Sequence, residues 1–382
     1  MHRFAATLLL LTCPLLVLAQ PIVPKDDNEV IEVLPGTATG RSADRQLRRQ
    51  LARTPGDAAL AVTLARRHLA RAHEEGDPRF AGQALALLTP FPDERAPDEV
   101  LLLRAEVQQF LHEFDAAVQS LTRLLARPSG AGQPQAWLTL ATVHRVRGRY
   151  ADSDAACARV QDAGAPLYAA ACLAENSALR GNFDAARARL KQLLQDRQAT
   201  PSVRAWLLVT LAETEQRAGQ APAAEAAFRE SLSLQPDAYA RLTYADFLLD
   251  QGRPAEVLAL LKNEARSDAV LLRLALAGKR AGAPEAARDA AEMRDRIALA
   301  NQRPLATVFH GREQAMFALW IDADPQRALQ LARGNAAYQR EPLDLFVLAR
   351  AARASADPAA LQETRRLMDQ IGLHDRRIDA VL

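Results

Sequence analysis

The sequence predicts an all-α chain made of consecutive helix hairpins stacked into an α-solenoid. Composition is the first reason. Hydrophobic residues make up 49% of the 382 residues and aromatics only 5%, and the apolar content is mostly Ala and Leu, which favour helix and let helices pack closely. The second is a ruler of glycines: Gly148, Gly181, Gly219, Gly252 and Gly282 stand 33, 38, 33 and 30 residues apart, inside the window of solenoid repeats. The third is phase. Seven residues before each glycine is an alanine (Ala141, Ala174, Ala212, Ala245, Ala275), preceded by Leu140, Leu173, Leu211, Tyr244 and Leu274. Five residues after each glycine comes Ser153, Ala186, Ala224, Val257 or Ala287, small or β-branched in every case. Small residues held at one phase are what two helices need where they approach closely.

In chain order, residues 1–19 read as a secretory signal peptide. Arg3 gives a short positive start, Phe4 to Leu18 is largely apolar, and Val17-Leu18-Ala19 puts small residues before Gln20. The apolar run of about 15 residues falls short of the roughly 20 that span a bilayer, so an uncleaved anchor is the weaker reading. Lipidation at Cys13 is disfavoured by Leu-Leu-Thr before it and Pro14 after it. The mature chain is therefore expected to lack a membrane span and to be exported, most simply to a periplasm. Residues 20–42 combine Pro, Gly and charge and read as a flexible N-terminal segment. The solenoid is assigned to 43–370, with Ser42 as the first N-cap, and 371–382 forms a C-terminal end segment.

Within the solenoid, Leu60, Leu64, Ala65, His68 and Leu69 mark one face of a helix over 57–73, followed by a second helix at 79–88 and a break at Thr89-Pro90-Phe91-Pro92. In the unit at 98–127, His112 occupies the glycine's place, with Ala105 seven before and Ala117 five after. In the next, Trp137, Leu140, Ala141 and His144 fall at i, i+3, i+4 and i+7, and Gly148 ends that helix. Prolines or polar clusters separate units at 128–134, 166, 200–202, 236 and 342. Beyond residue 300 the ruler glycine is absent, but 310–340 and 343–370 still read as helix pairs turning at Asp324-Pro325 and Asp357-Pro358.

An aromatic and Leu-Ala in the first helix, a Gly turn, then small and aromatic residues and a closing Pro resemble the tetratricopeptide repeat, a period of about 34 residues. Trp137-Leu140-Ala141-Gly148-Tyr150 and Leu211-Ala212-Gly219-Ala224-Phe228-Pro236 carry the likeness best. The resemblance implies a right-handed α-solenoid of about nine such hairpins. It departs from the pattern at Trp206, five residues before its Leu, and at Pro254 and Pro284, which replace the aromatic after the glycine.

The resemblance also implies a binding scaffold whose first helices line a concave groove. The positions 13 and 6 before each glycine share one stripe. The first reads Gln135, Tyr168, Trp206, Tyr239, and the second Thr142, Glu175, Glu213, Asp246. Tyr168, Glu175, Trp206, Glu213, Tyr239 and Asp246 are thus the candidate partner-binding residues, an aromatic-acidic groove for an extended or helical polypeptide of basic or polar character. Packing of the aromatics on neighbouring units, with solvated acids, is the competing reading. A runner-up function is binding of an envelope polymer such as glycan or peptidoglycan, or service as an accessory subunit of an envelope enzyme. Self-association is a third, because Ile371, Leu373, Ile378, Val381 and Leu382 leave the last segment apolar.

Charge and motifs argue against chemistry and nucleic acid. The balance is 48 basic to 46 acidic residues, which offers no net field for nucleic acid. His68 and His73 are five apart and share no helix face, so no zinc motif forms. Pro128-Ser129-Gly130-Ala131-Gly132-Gln133 lacks the Lys-Ser/Thr of a phosphate loop. No catalytic residue, cofactor or metal ligand is assigned. Cys157 and Cys172, 15 residues apart, read as buried thiols in preference to a bridge, although an exported chain permits either.

Overall fold

The computed structural model describes residues 38–75, 77–302 and 311–382, with side chains from Asp44 onward. The signal-peptide assignment and residues 20–37 of the flexible segment lie outside the described residues. Among those described there are 21 helices and no strand. The first helix, Ala38–Arg53, already includes Ser42, so the helix starts upstream of the expected cap. Nothing in that stretch breaks a helix as Pro would; Gly40 is only a weak opponent. Residues 48–382 form one compact unit.

Among the described residues of that unit nine hairpins follow one another. Their first and second helices are Ala58–Glu75 and Pro78–Leu88, Asp98–Phe110 and Phe114–Leu125, Pro134–Val146 and Tyr150–Asp162, Pro166–Leu179 and Phe183–Leu193, Pro201–Arg217 and Ala221–Leu234, Ala238–Asp250 and Pro254–Leu261, Asp268–Ala281 and Ala286–Ala300, Gly311–Trp320 and Pro325–Ala336, and Pro342–Ala354 and Pro358–Ile371. The prolines that separate units in the sequence open helices: Pro134, Pro166, Pro201 and Pro342 stand in the first turn of first helices, where the missing N–H costs nothing. Thr200, Asp237 and Ser267 each accept a backbone N–H as N-caps.

The ruler positions do what their phase demands. Gly148, Gly181, Gly219, Gly252 and Gly282 all have positive φ, and His112 stands in the same left-handed conformation at φ 59°. The eighth and ninth hairpins keep the turn without glycine: Ala323 and Ala356 carry it at φ 54° and 50°. A left-handed non-Gly residue costs about 1–2 kcal/mol, a sum the flanking helices offset. Ala105, Ala141, Ala174, Ala212, Ala245 and Ala275 are all buried, and so are Ala117, Ser153, Ala186, Ala224 and Val257 across from them. Ala287 departs from the series and is exposed. After Gly282 the second helix starts only at Ala286, which shifts the register so that Ala286 faces Gly278 instead.

Cys157 and Cys172 are joined in a disulfide, with Cα atoms 5.8 Å apart. The reading as two free buried thiols is corrected. The second helix of hairpin 3 packs along the first helix of hairpin 4, and both cysteines fall on the shared face, a proximity that sequence separation does not reveal.

The chain is not an open-ended stack. After Gly372 the last segment crosses the turns of earlier hairpins, with Ile371 against Gly148, His374 against Gly181 and Arg376 against Gly219. The His374 N–H donates to the Leu179 carbonyl at 2.8 Å, and the Arg340 N–H to that of Val146 at 2.7 Å. Leu373, Ile378 and Val381 are buried by this return, while Ile371 and Leu382, the other two apolar residues of the segment, are half-buried. The contact also makes a prediction at the turn. A Cβ on Gly148 lies 3.0 Å from the Ile371 side chain, whereas one on Gly252 meets nothing within 4 Å. Gly252→Ala is expected to lose about 1 kcal/mol through φ alone, and Gly148→Ala about 2 kcal/mol as Ile371 is displaced. Equal urea midpoints for the two variants would argue that the C-terminal segment does not rest on that turn.

Candidate functional site

First helices supply most of the inner wall of the superhelix, joined by Pro78, Arg79, Phe114 and Ala300 from second helices. They enclose a cavity of about 1000 Å³. Its wall takes side chains from all nine hairpins, from Leu69 and His73 in the first to Glu341 at the start of the ninth. Gln339 and Glu341 reach the wall because the Arg340 N–H is tied to Val146, and so the returning C-terminal hairpins close part of the groove.

Of the six candidate residues, Glu175, Trp206, Glu213 and Tyr239 line this cavity. Tyr168 does not, but its ring, 40% exposed, lies 5.8 Å from that of Trp206. Asp246 does not either: it accepts two bonds from Arg273, at 2.8 and 2.5 Å, and is committed to that pair. Gln135 and Thr142, from the same two sequence stripes, also line the wall. Glu106, Phe110, Arg145 and Arg312 are further lining residues that the sequence reading did not single out. The signal for Glu106 was present. It stands six residues before His112, the phase that yields Glu175 and Glu213, and taking His112 as a turn residue for that stripe as well would have found it.

The carboxylates differ in how they are compensated. Glu175 pairs with Arg145 at 3.1 Å, and Glu341 with Arg312 at 3.0 Å. Glu213 accepts a 2.7 Å hydrogen bond from the Tyr239 hydroxyl. Glu106 has only a 3.4 Å bond from the Gln135 amide. Burial pushes Glu106 and Glu213 above the usual carboxylate range, with Arg66 pulling the first back and Arg217 the second. Burial likewise holds the Tyr239 hydroxyl well above its ordinary value, reinforced by Glu213. Tyr239 is nevertheless 56% exposed. Protein mass surrounds these groups while their surfaces face the cavity. Desolvation lowers the pKa of His73 on the same wall, against the pull of Asp237.

Left-handed turn, buried alanine and inward first helix recur hairpin after hairpin, as the resemblance in the sequence implied. The fold is an all-α solenoid of stacked helix hairpins, similar to tetratricopeptide repeats. No protein-family model matches this chain, and no curated protein matches it in sequence. Solved structures similar to it include the following three. One is from the APC/C hetero-tetramer Cut9-Hcn1, at TM-score 0.42 and 15% identity, covering 82% of this chain and 59% of that one. This chain thus spans less than two thirds of that protein's length. The second is a Rap protein complexed with Competence and Sporulation Factor, at TM-score 0.45 and 12% identity, covering 90% and 94%. Yeast Tom70 follows at TM-score 0.35 and 11% identity, covering 87% and 88%. Among the described residues no helix is long and apolar enough to cross a membrane, and no three His, Cys, Asp or Glu side chains cluster as metal ligands.

Proposed function

We propose that this protein is a non-catalytic, exported interaction scaffold that holds a polypeptide partner in the cavity formed by its first helices. The observation that carries the reading is the cavity wall itself, where the exposed ring of Tyr239 and the free edge of Trp206, half-buried against the core, offer aromatic surface beside carboxylates. Exposed aromatic area beside polar groups is the usual make-up of a recognition surface. Export is supported by the secretory character of residues 1–19 and by the Cys157–Cys172 bridge, since such bridges persist in oxidising compartments.

The test is retention. With residues 20–382 immobilised, a partner from the exported fraction that cross-links to the cavity wall is expected to be held at least tenfold less by Trp206→Ala/Tyr239→Ala, in line with the loss of two aromatic anchors. Unchanged retention of that partner would remove the cavity from the account. Protease treatment of the bound material separates a polypeptide from an envelope polymer: material that survives digestion and still binds favours a glycan stacked on the same aromatics.

A further inference from the structure

The cavity wall is electrostatically lopsided. Among the described residues it carries six carboxylates, Glu106, Glu175, Glu213, Asp268, Glu313 and Glu341, against three guanidinium groups, Arg79, Arg145 and Arg312. The guanidiniums are already engaged: Arg145 with Glu175, Arg312 with Glu341 and Glu313, and Arg79 with Asp77, which lies off the wall. Asp268 is paired with Arg296 at 2.8 Å. What is left over is negative. Among the described residues Glu106 has no ion pair and Arg66 offsets it only through space, while Glu213 is held by a neutral hydroxyl, with the Arg217 guanidinium, one helical turn further along, likewise acting only through space. Apolar surface lies between and around them, from Leu69, Phe110, Trp206 and Val209.

A carboxylate kept in protein surroundings without a cation is an expense, and one facing a cavity is relieved when a cation enters. The size of the space limits what brings the cation. At about 1000 Å³, with part of the groove closed by residues 339–341, the space matches a ligand of a few residues better than a long helix. We propose that the cavity receives a short basic segment of a polypeptide, one arginine or lysine side chain seated at Glu106 and a neighbouring apolar side chain against Trp206. This rests on the reading of the cavity as a polypeptide site and adds the charge and length of the segment. Glu106 is the residue assigned to select the cation, because Gln135 leaves its second oxygen free for a guanidinium or ammonium, whereas Glu213 already accepts from Tyr239.

A randomised heptapeptide library passed over immobilised residues 20–382 tests it, with Trp206→Ala as the reference for loss of the cavity surface. Peptides retained by the wild type and released by Trp206→Ala are expected to be enriched in Arg and Lys, and the enrichment is expected to vanish in Glu106→Gln, a variant of the same shape. Replacing the enriched arginine by citrulline in one retained peptide is expected to weaken binding about tenfold or more to wild type and little to Glu106→Gln, the scale of a hydrogen bond to a charged group. Retention that depends on Trp206 but shows no basic enrichment, or an equal citrulline effect in both proteins, overturns the cation assignment and leaves the polypeptide reading standing. No Trp206-dependent retention at all overturns both. Basic free amines that compete as well as the peptides would transfer the site to a small cationic ligand and also overturn the proposal.

Discussion

Replacing Arg377 by Ala is expected to destabilise the chain by about 3 kcal/mol, the cost of leaving a buried charge without its partner. Arg377 sits in the C-terminal segment and links it to the sixth hairpin. Its Nε and Nη2 donate to Asp375 at 3.0 and 2.6 Å and its Nη1 to Asp250 at 3.3 Å, while the guanidinium carbon lies 5.4 Å from the centre of the Phe346 ring. The Asp375 side chain is fully buried, so it has no solvent to turn to when the guanidinium is removed. Arg377→Lys should recover only part of the loss, since an ammonium restores charge without the two-pronged geometry. Arg377→Ala/Asp375→Asn should recover more than the single variant because the stranded charge goes with it. The penalty should also shrink in mild acid. Burial already pushes Asp250 from 3.8 up to about 6 while Arg377 pulls it back. A carboxylate whose folded pKa is raised costs stability only when ionised, so its cost appears as pH rises from about 4 through 6 and is absent below. Urea midpoints at pH 5 and pH 7.5 check both statements. A variant as stable as wild type at pH 7.5 would mean that the C-terminal return is not held by this pair.

That return is what the sequence could not convey. Helices, turns and their phase are local properties. The spacing of Ala141, Gly148 and Ser153 encodes a hairpin within a dozen residues, and so it was readable, even to His112 in a glycine's place. Ala323 and Ala356 were not recognisable as turn residues because alanine is ordinarily a helix former and only the packing of the flanking helices forces it left-handed. The C-terminal contacts join residues far apart in sequence, such as Arg377 with Asp250 or His374 with Leu179. No periodicity reports on how many hairpins make one superhelical turn, and that number decides which ones meet. Leu373, Ile378 and Val381 were therefore legible as sticky but not as already covered.

The candidate site divides in the same way. A stripe at fixed phase placed Glu175, Trp206, Glu213 and Tyr239 on the cavity wall, since phase on a first helix determines which way a side chain faces. Asp246 shares that phase, yet Arg273 takes both its oxygens. Whether a carboxylate is free or paired depends on the next hairpin's first helix, and an arginine 27 residues away carries no mark in the sequence that it will reach back. Compensation of charge, more than direction, separates Glu106 from Asp246.

The second large effect is expected at the disulfide. Cys157→Ala/Cys172→Ala should lose about 3 kcal/mol, the loop-closure entropy of a crosslink spanning roughly 15 residues. Both sulfurs lie in the interior, so alanine avoids stranding a buried polar group and leaves mainly the effect on the unfolded chain. The bridge joins the second helix of hairpin 3 to the first of hairpin 4, a junction between units and not a bond within one. Because a solenoid's stability is close to a sum of units and their interfaces, the loss should be local: amide hydrogen exchange should accelerate over 134–193 far more than over 268–300. Denaturing thiol titration of residues 20–382 supplies the complementary reading. Material recovered from an oxidising compartment should show no free thiol, and material made in a reducing cytosol should show two. Two thiols in the exported chain would remove the bridge, and with it one of the two supports for an exported working place.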